Sequence, residues 1–139
     1  MKLKNLSAVP VFFALAFAAL SFTGCDNGAA DSGGPVEYSG ETVNIINSIW
    51  DGSVWFEGNR YAVRVNIPDS SSYSFYINNV LDDTGTYVRK NNTATLTSTH
   101  GYTKGQVIGT AVLTGPDTAV ITNYANTGRA GSYTVTRRQ

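Results

Sequence analysis

From Ser53 to the C-terminus, apolar residues recur in short alternating segments separated by Gly, Asn, Asp, Pro and Ser. The clearest is Arg60–Ile67, with Tyr61, Val63, Val65 and Ile67 on one face and Ala62, Arg64 and Asn66 on the other. A period of two is the signature of a half-buried strand. Ser72–Asn78 repeats it, with Tyr73, Phe75 and Ile77 on the apolar face. Val54–Glu57, Gly85–Arg89, Thr93–Thr99, Gln106–Thr114, Thr118–Tyr124 and Ser132–Arg138 complete a predicted set of eight strands. Gly58-Asn59 reads as a tight hairpin turn, Asn79–Asp83 as a loop, and Asn126–Gly131 as a longer loop.

Short connections leave no room for parallel crossovers, so the predicted topology is an antiparallel meander. Eight such strands close into an up-and-down barrel, which removes the exposed edges; a two-sheet sandwich is the alternative. Thr42–Trp50 carries Val43, Ile46 and Trp50 at helical spacing and is expected to form a short helix closing one end, with a strand as the alternative. The inward residues of the early strands are bulky (Phe56, Tyr61, Val63, Val65, Tyr73, Phe75, Ile77). Those of the later strands are small (Gly85, Ala94, Gly109, Ala111, Ala119). Large facing small predicts an interior filled by side chains. The sixth and seventh strands are apolar on both faces, so Val43–Ile49 is expected to cover the outer one, with a partner surface as the alternative.

The N-terminus has a different pattern. Lys2 and Lys4 precede an apolar run from Val9 to Leu20, and small residues follow up to Cys25. This is the layout of a secretory signal, and the run is shorter than the roughly 20 apolar residues of a spanning helix. Thr23-Gly24-Cys25 resembles the lipobox of bacterial lipoproteins, with Phe22 where that family has an aliphatic residue. The resemblance implies cleavage before Cys25, lipidation of its thiol and anchoring of the mature chain to the membrane. It places the protein in a bacterial cell envelope, at the outer membrane or cell surface, with the inner membrane as the alternative. The expected organisation is a signal peptide over 1–24, a lipidated Cys and flexible tether over 25–40, and a barrel domain over 41–139. Asp26–Pro35, small, polar and Gly-rich, has the composition of a linker.

All ten acidic residues lie beyond residue 24, whereas two of the ten basic ones lie in the leader, so the retained part is mildly acidic. With no basic stripe, nucleic acid is not an expected partner. A single Cys excludes an internal disulfide, and stability must come from a core. No catalytic constellation is legible. The single His, His100, falls at a strand end, no Ser lies in a Gly-x-Ser-x-Gly elbow, and no Gly-rich phosphate loop opens a helix. Asp82-Asp83 is the one acidic pair, with Asp69 the nearest acidic residue before it, and reads as turn chemistry in place of a metal site. We therefore expect no catalytic residue, no cofactor and no metal. Tyr76, Tyr102 and Tyr124 fall near loops or face outward by parity and form a candidate contact surface.

Residues 50–138 resemble the small lipocalin-like (calycin) barrels found in bacterial lipoproteins. The likeness rests on Trp50-Asp51-Gly52 and Gly52-Ser53-Val54-Trp55 near the first strand, on Arg137-Arg138 near the end, and on the strand Gly85-Thr86-Tyr87 followed by an Asn-rich turn and a Thr-rich strand. Lipocalins carry Gly-x-Trp near the first strand, an order this chain does not reproduce. They also carry a late basic residue packed over that Trp, and the resemblance implies a barrel-closing pair of Trp50 with Arg137. Three functions are weighed. The first is a membrane-anchored, non-catalytic binding or interaction module, with a protein or a small apolar ligand as its partner. The second is a carrier of a small apolar ligand. The third is a calycin-type protease inhibitor acting through its N-terminal tail. Metabolic labelling with a palmitate analogue checks the anchor: the wild-type chain should incorporate label and Cys25→Ala should not.

Overall fold

The computed structural model describes residues 34–139, so the leader, Cys25 and the tether up to residue 33 lie outside the described residues. Eight strands follow one another: β1 (Ser48–Phe56), β2 (Asn59–Ile67), β3 (Ser72–Ile77), β4 (Val80–Lys90), β5 (Thr93–Ser98), β6 (Val107–Gly115), β7 (Thr118–Asn123) and β8 (Gly131–Arg137). Each pairs antiparallel with the next, and β8 returns to β1, giving a closed up-and-down barrel of the lipocalin-like kind. Among the described residues the only helical pieces are short 3₁₀ turns at Gly101–Thr103 and Ala125–Thr127.

The alternation that predicts the strands also sets the wall. Val63, Val65 and Ile67 on β2, Tyr73 on β3, Tyr87 on β4 and Val135 on β8 are buried in one continuous core cluster. Each large apolar side chain removed from water contributes roughly 1.5–3 kcal/mol. The polar residues between them, Arg64, Asn66 and Ser74, fall on the outer face and are only partly covered.

Three expectations are corrected. No helix forms over 42–50: Trp50 lies inside β1, which starts at Ser48, six residues ahead of the expected Val54, and pairs with β2 along its whole length. Val, Ile and Asn are mediocre helix formers, and the full-length ladder with β2 supplies the backbone partners. The first hairpin turns on Glu57-Gly58, both with positive φ (49° and 78°), so Asn59 is already paired with Phe56. That geometry is the two-residue turn suited to the strand twist. Asn79–Asp83 is not a loop. Asn78 and Asn79, with φ of 50° and 65°, make the turn, and β4 starts at Val80. The Asn-Asn pair was the available signal, since Asn tolerates the left-handed region.

One end of the barrel is sealed. Ile45 is buried and Val43 is packed against the core there, so these residues plug the end instead of covering the outside of β6 and β7. The chain just ahead, at Glu37 and Tyr38, lies along β5 and β6: Tyr38 N–H donates to the Leu113 carbonyl at 2.7 Å, and the Thr93 hydroxyl donates to Glu37 Oε1 at 3.1 Å. Glu37 and Tyr38, expected in the tether, are thus bonded to the barrel. Asn92 organises this seal. It is 2% exposed. Its side-chain oxygen accepts from Val43 N–H and from Arg89, while its amide donates to the Tyr38 and Glu41 carbonyls. Asn92→Ala leaves those buried groups without partners and should lower stability by about 2–4 kcal/mol. The shift in urea midpoint at unchanged slope measures it.

Candidate functional site: an apolar cavity with a polar neck

The barrel interior is not filled. A cavity of about 570 Å³ runs from Ile45 and Trp50 at the sealed end to the loops after β5 and β7 at the other. The packing rule behind the expectation does not hold here, and each bulky ring is caught by a particular partner. Trp50 lies under Arg137, Phe75 on β3 meets Tyr133 on the non-adjacent β8 with ring centroids 6.3 Å apart, and Tyr73 folds over Gly85. The small residues Ala94, Ala111 and Ala119 line the void that remains. A cavity of several hundred Å³ with mostly apolar walls and few polar groups is the usual form of a small-molecule site.

The sealed end is fixed by Trp50. The β1–β8 ladder sets it directly opposite Arg137, whose guanidinium carbon lies 4.8 Å from the ring centroid. A cation over an indole face is attractive. The Trp50 N–H donates to the Ser48 hydroxyl at 2.7 Å, and Ser48 donates to the Ile45 carbonyl. Arg137 donates in turn to the Asn44 carbonyl at 2.6 Å; its Nε stands 3.5 Å from Asp117 Oδ1, an ion pair outside hydrogen-bond geometry.

The open end is polar at its neck. Between Phe75 and Tyr76 the β3–β4 register shifts, so that Phe75 pairs with Asp83, Tyr76 with Leu81, and Asp82 is the extra residue of a bulge. A bulge re-aims side chains, and here both Asp82 and Asp83 line the cavity. Asp82 accepts from Arg129 Nη1 at 3.0 Å, tying the β7–β8 loop to β4. Asp83 accepts from the Tyr73 hydroxyl at 2.8 Å and the Ser98 hydroxyl at 2.7 Å. Tyr73 reaches it because residue 85 is glycine: a Cβ there would lie 2.4 Å from the Tyr73 ring and 2.2 Å from the Thr97 carbonyl oxygen. A further clasp joins the two mouth loops, where the Tyr102 hydroxyl donates to the Thr127 carbonyl at 2.6 Å. The wall is also thin on one side. The β1–β8 ladder has pairs only at Trp50–Gly52, and beyond it Ser53–Phe56 and Gly131–Thr134 both border the cavity.

Burial pushes the Tyr73 and Tyr133 hydroxyls well above the ordinary tyrosine range, and the Asp83 carboxylate adds to the effect on Tyr73. Burial raises Tyr87 as well. The Tyr133 hydroxyl is buried with no hydrogen-bond partner; Asn123 is near enough to act on its proton affinity but does not meet hydrogen-bond geometry.

The sequence-derived candidates separate. Trp50 and Arg137 meet. Tyr102, 77% exposed, and Tyr124, also exposed, both belong to the open end, whereas Tyr76 is half-buried on the outer face of β3 beside the bulge. His100 is exposed at the start of the β5–β6 loop and borders the mouth. Asp69 lies at the opposite end, where it caps the β2–β3 turn by accepting from Ser71 and Ser72 N–H, which lowers its pKa. It is therefore remote from Asp82 and Asp83. Sequence reasoning missed the neck itself, Tyr73, Asp83, Ser98 and Tyr133, since no local pattern announces a bulge.

Compared with known proteins, the chain matches no family model, no curated protein and no solved structure.

A tyrosine with a raised folded-state pKa contributes stability that is complete below its ordinary value of 10.0 and is lost as pH climbs above it, because the unfolded chain releases the proton first. In an alkaline spectrophotometric titration, Tyr73 and Tyr133 should resist ionisation until the barrel unfolds. Free titration of all eight tyrosines in the folded chain would contradict the burial.

Proposed function

We propose that this chain is a non-catalytic, lipid-anchored envelope protein whose barrel carries a small apolar ligand. The cavity of about 570 Å³, walled by Val65, Leu96, Ala111, Leu113 and Ile121, is the observation that carries the reading. Burying an apolar molecule there removes its surface and that of the walls from water, at roughly 25 cal/mol per Å². The strands hold the walls before a ligand arrives, so little ordering cost accompanies binding. The mouth loops, clasped by Tyr102–Thr127 and Arg129–Asp82, are where entry and exit would take place.

The anchor is supported by the lipobox-like Thr23-Gly24-Cys25, and the tether from Asp26 leads into a barrel attached from Glu37 onward. The exposed Tyr102 and Tyr124 at the mouth support a second reading, in which that end also meets a protein partner. The protease-inhibitor alternative depends on a tail that lies largely outside the described residues.

An apolar fluorophore whose emission rises in a dry site should bind the full chain at one site. Ala111→Trp, which projects an indole into the cavity from β6, should reduce that affinity at least about tenfold, the loss of some 1.4 kcal/mol or more, with the circular dichroism of the barrel retained. Unchanged fluorophore affinity in this variant would remove the carrier reading.

A further inference from the structure

The cavity holds one unbalanced charge and one unpaired hydroxyl, both inside the neck. The charged groups that border it are Asp82, Asp83, Arg129 and, when protonated, His100. Asp82 and Arg129 answer each other. Asp83 has only hydroxyl donors, Tyr73 and Ser98, and no Lys, Arg or His of the described residues pairs with it. An ionised carboxylate offers roughly four acceptor positions, so two donors leave it unsaturated. Its negative charge stands where the apolar walls begin, and charges in such surroundings act strongly.

The second observation is independent of the acidic pair. Tyr133 faces inward on β8, as Val135 does, and is 7% exposed. Its hydroxyl has no partner. Buried polar groups are nearly always hydrogen-bonded, and one left over in a cavity wall calls for a group that the protein does not supply. Phe75, whose backbone pairs with Asp83, has its ring centroid 6.3 Å from that of Tyr133, and Asp83 and Tyr133 both line the cavity, which brings the two to the same part of it.

We infer that the cavity selects an amphiphile with a positively charged, hydrogen-bond-donating head, an alkyl amine, over one with a carboxylate head, the head lodging between Asp83 and Tyr133 and the alkyl tail filling the barrel. This rests on the carrier reading above. An ammonium head donates to the open positions of Asp83 and to the lone pair of Tyr133, and brings the cation that Asp83 lacks. A carboxylate head could accept from the Tyr133 hydroxyl, but it meets the negative charge of Asp83, and the one cation beside it, Arg129, is already engaged with Asp82 and stands further into solvent.

The test compares dodecylamine, dodecanol and dodecanoic acid on the full chain by titration calorimetry, with Trp50 and Trp55 emission as a second readout because both border the cavity. The amine should bind at least about tenfold more tightly than the acid, with the alcohol between them, the difference a hydrogen bond to a charged group supplies. Asp83→Asn should bring the amine down to the alcohol. Tyr133→Phe removes a hydroxyl that has no partner in the empty protein. It should leave the melting temperature unchanged or raised while weakening amine binding severalfold, so it keeps the test open where Asp83→Asn fails to fold. Equal or tighter binding of the acid overturns the inference and leaves the carrier reading standing. So does an amine preference that survives Asp83→Asn, or amine affinity unchanged in Tyr133→Phe. Binding of none of the three overturns the carrier reading and the inference with it.

Discussion

Closure of β8 onto β1 is the constraint on which the rest of the molecule depends. Trp50, Asp51 and Gly52 pair across that seam with Arg137, Thr136 and Val135, and Arg138 N–H donates to the Ile49 carbonyl beside them. Inside, Arg137 covers Trp50, and Val135 is 1% exposed. Outside, Asp51 accepts from Arg64 on β2 and from Arg138 beyond β8. Those ion pairs are half-exposed and contribute little on their own. The seam is held mainly by its ladder and by Val135, which fits because residue 52 is glycine: a Cβ there would lie 2.4 Å from the Thr134 carbonyl oxygen. Without the seam the sheet has two free edges and no enclosed volume.

A seam confined to one end makes the two ends unlike. At the sealed end, Ile45, Trp50 and the Asn92 network exclude water and bind the incoming chain to the barrel. At the other, the strands part, the loops are long enough to carry 3₁₀ turns, and two side-chain clasps replace a packed plug. Stability is concentrated away from the mouth, which is the distribution a carrier needs. Elements that must move to admit a ligand come from the less protected parts of a fold.

The polar neck depends on two local departures from regular strand structure. The bulge at Asp82 puts two acids where alternation would put one, and the missing side chain at Gly85 lets Tyr73 lie across β4 to reach Asp83. Both features weaken a strand taken alone. Both are retained in a wall that is otherwise regular, and together they give an apolar cavity a head-group site.

Period-two alternation and turn residues determined the strand count, the antiparallel order and the closed barrel, because each is a statement about which neighbours in sequence share a face. The composition of the chain from Ser53 onward was enough to specify an all-β domain. Tertiary structure decided what no local pattern carries. Trp50 became a strand residue because a nine-pair ladder with β2 outweighs helical spacing of three apolar residues. Asp82 and Asp83 became a neck, and not a turn, because Asn78-Asn79 had already turned the chain and the register slipped between Phe75 and Tyr76. The interior stayed open with Trp50 caught by Arg137, Tyr73 by Asp83 and Phe75 by Tyr133, and Ala94, Ala111 and Ala119 line what is left. Local periodicity fixes which face a residue takes; how far its side chain reaches across a barrel depends on the partner that catches it.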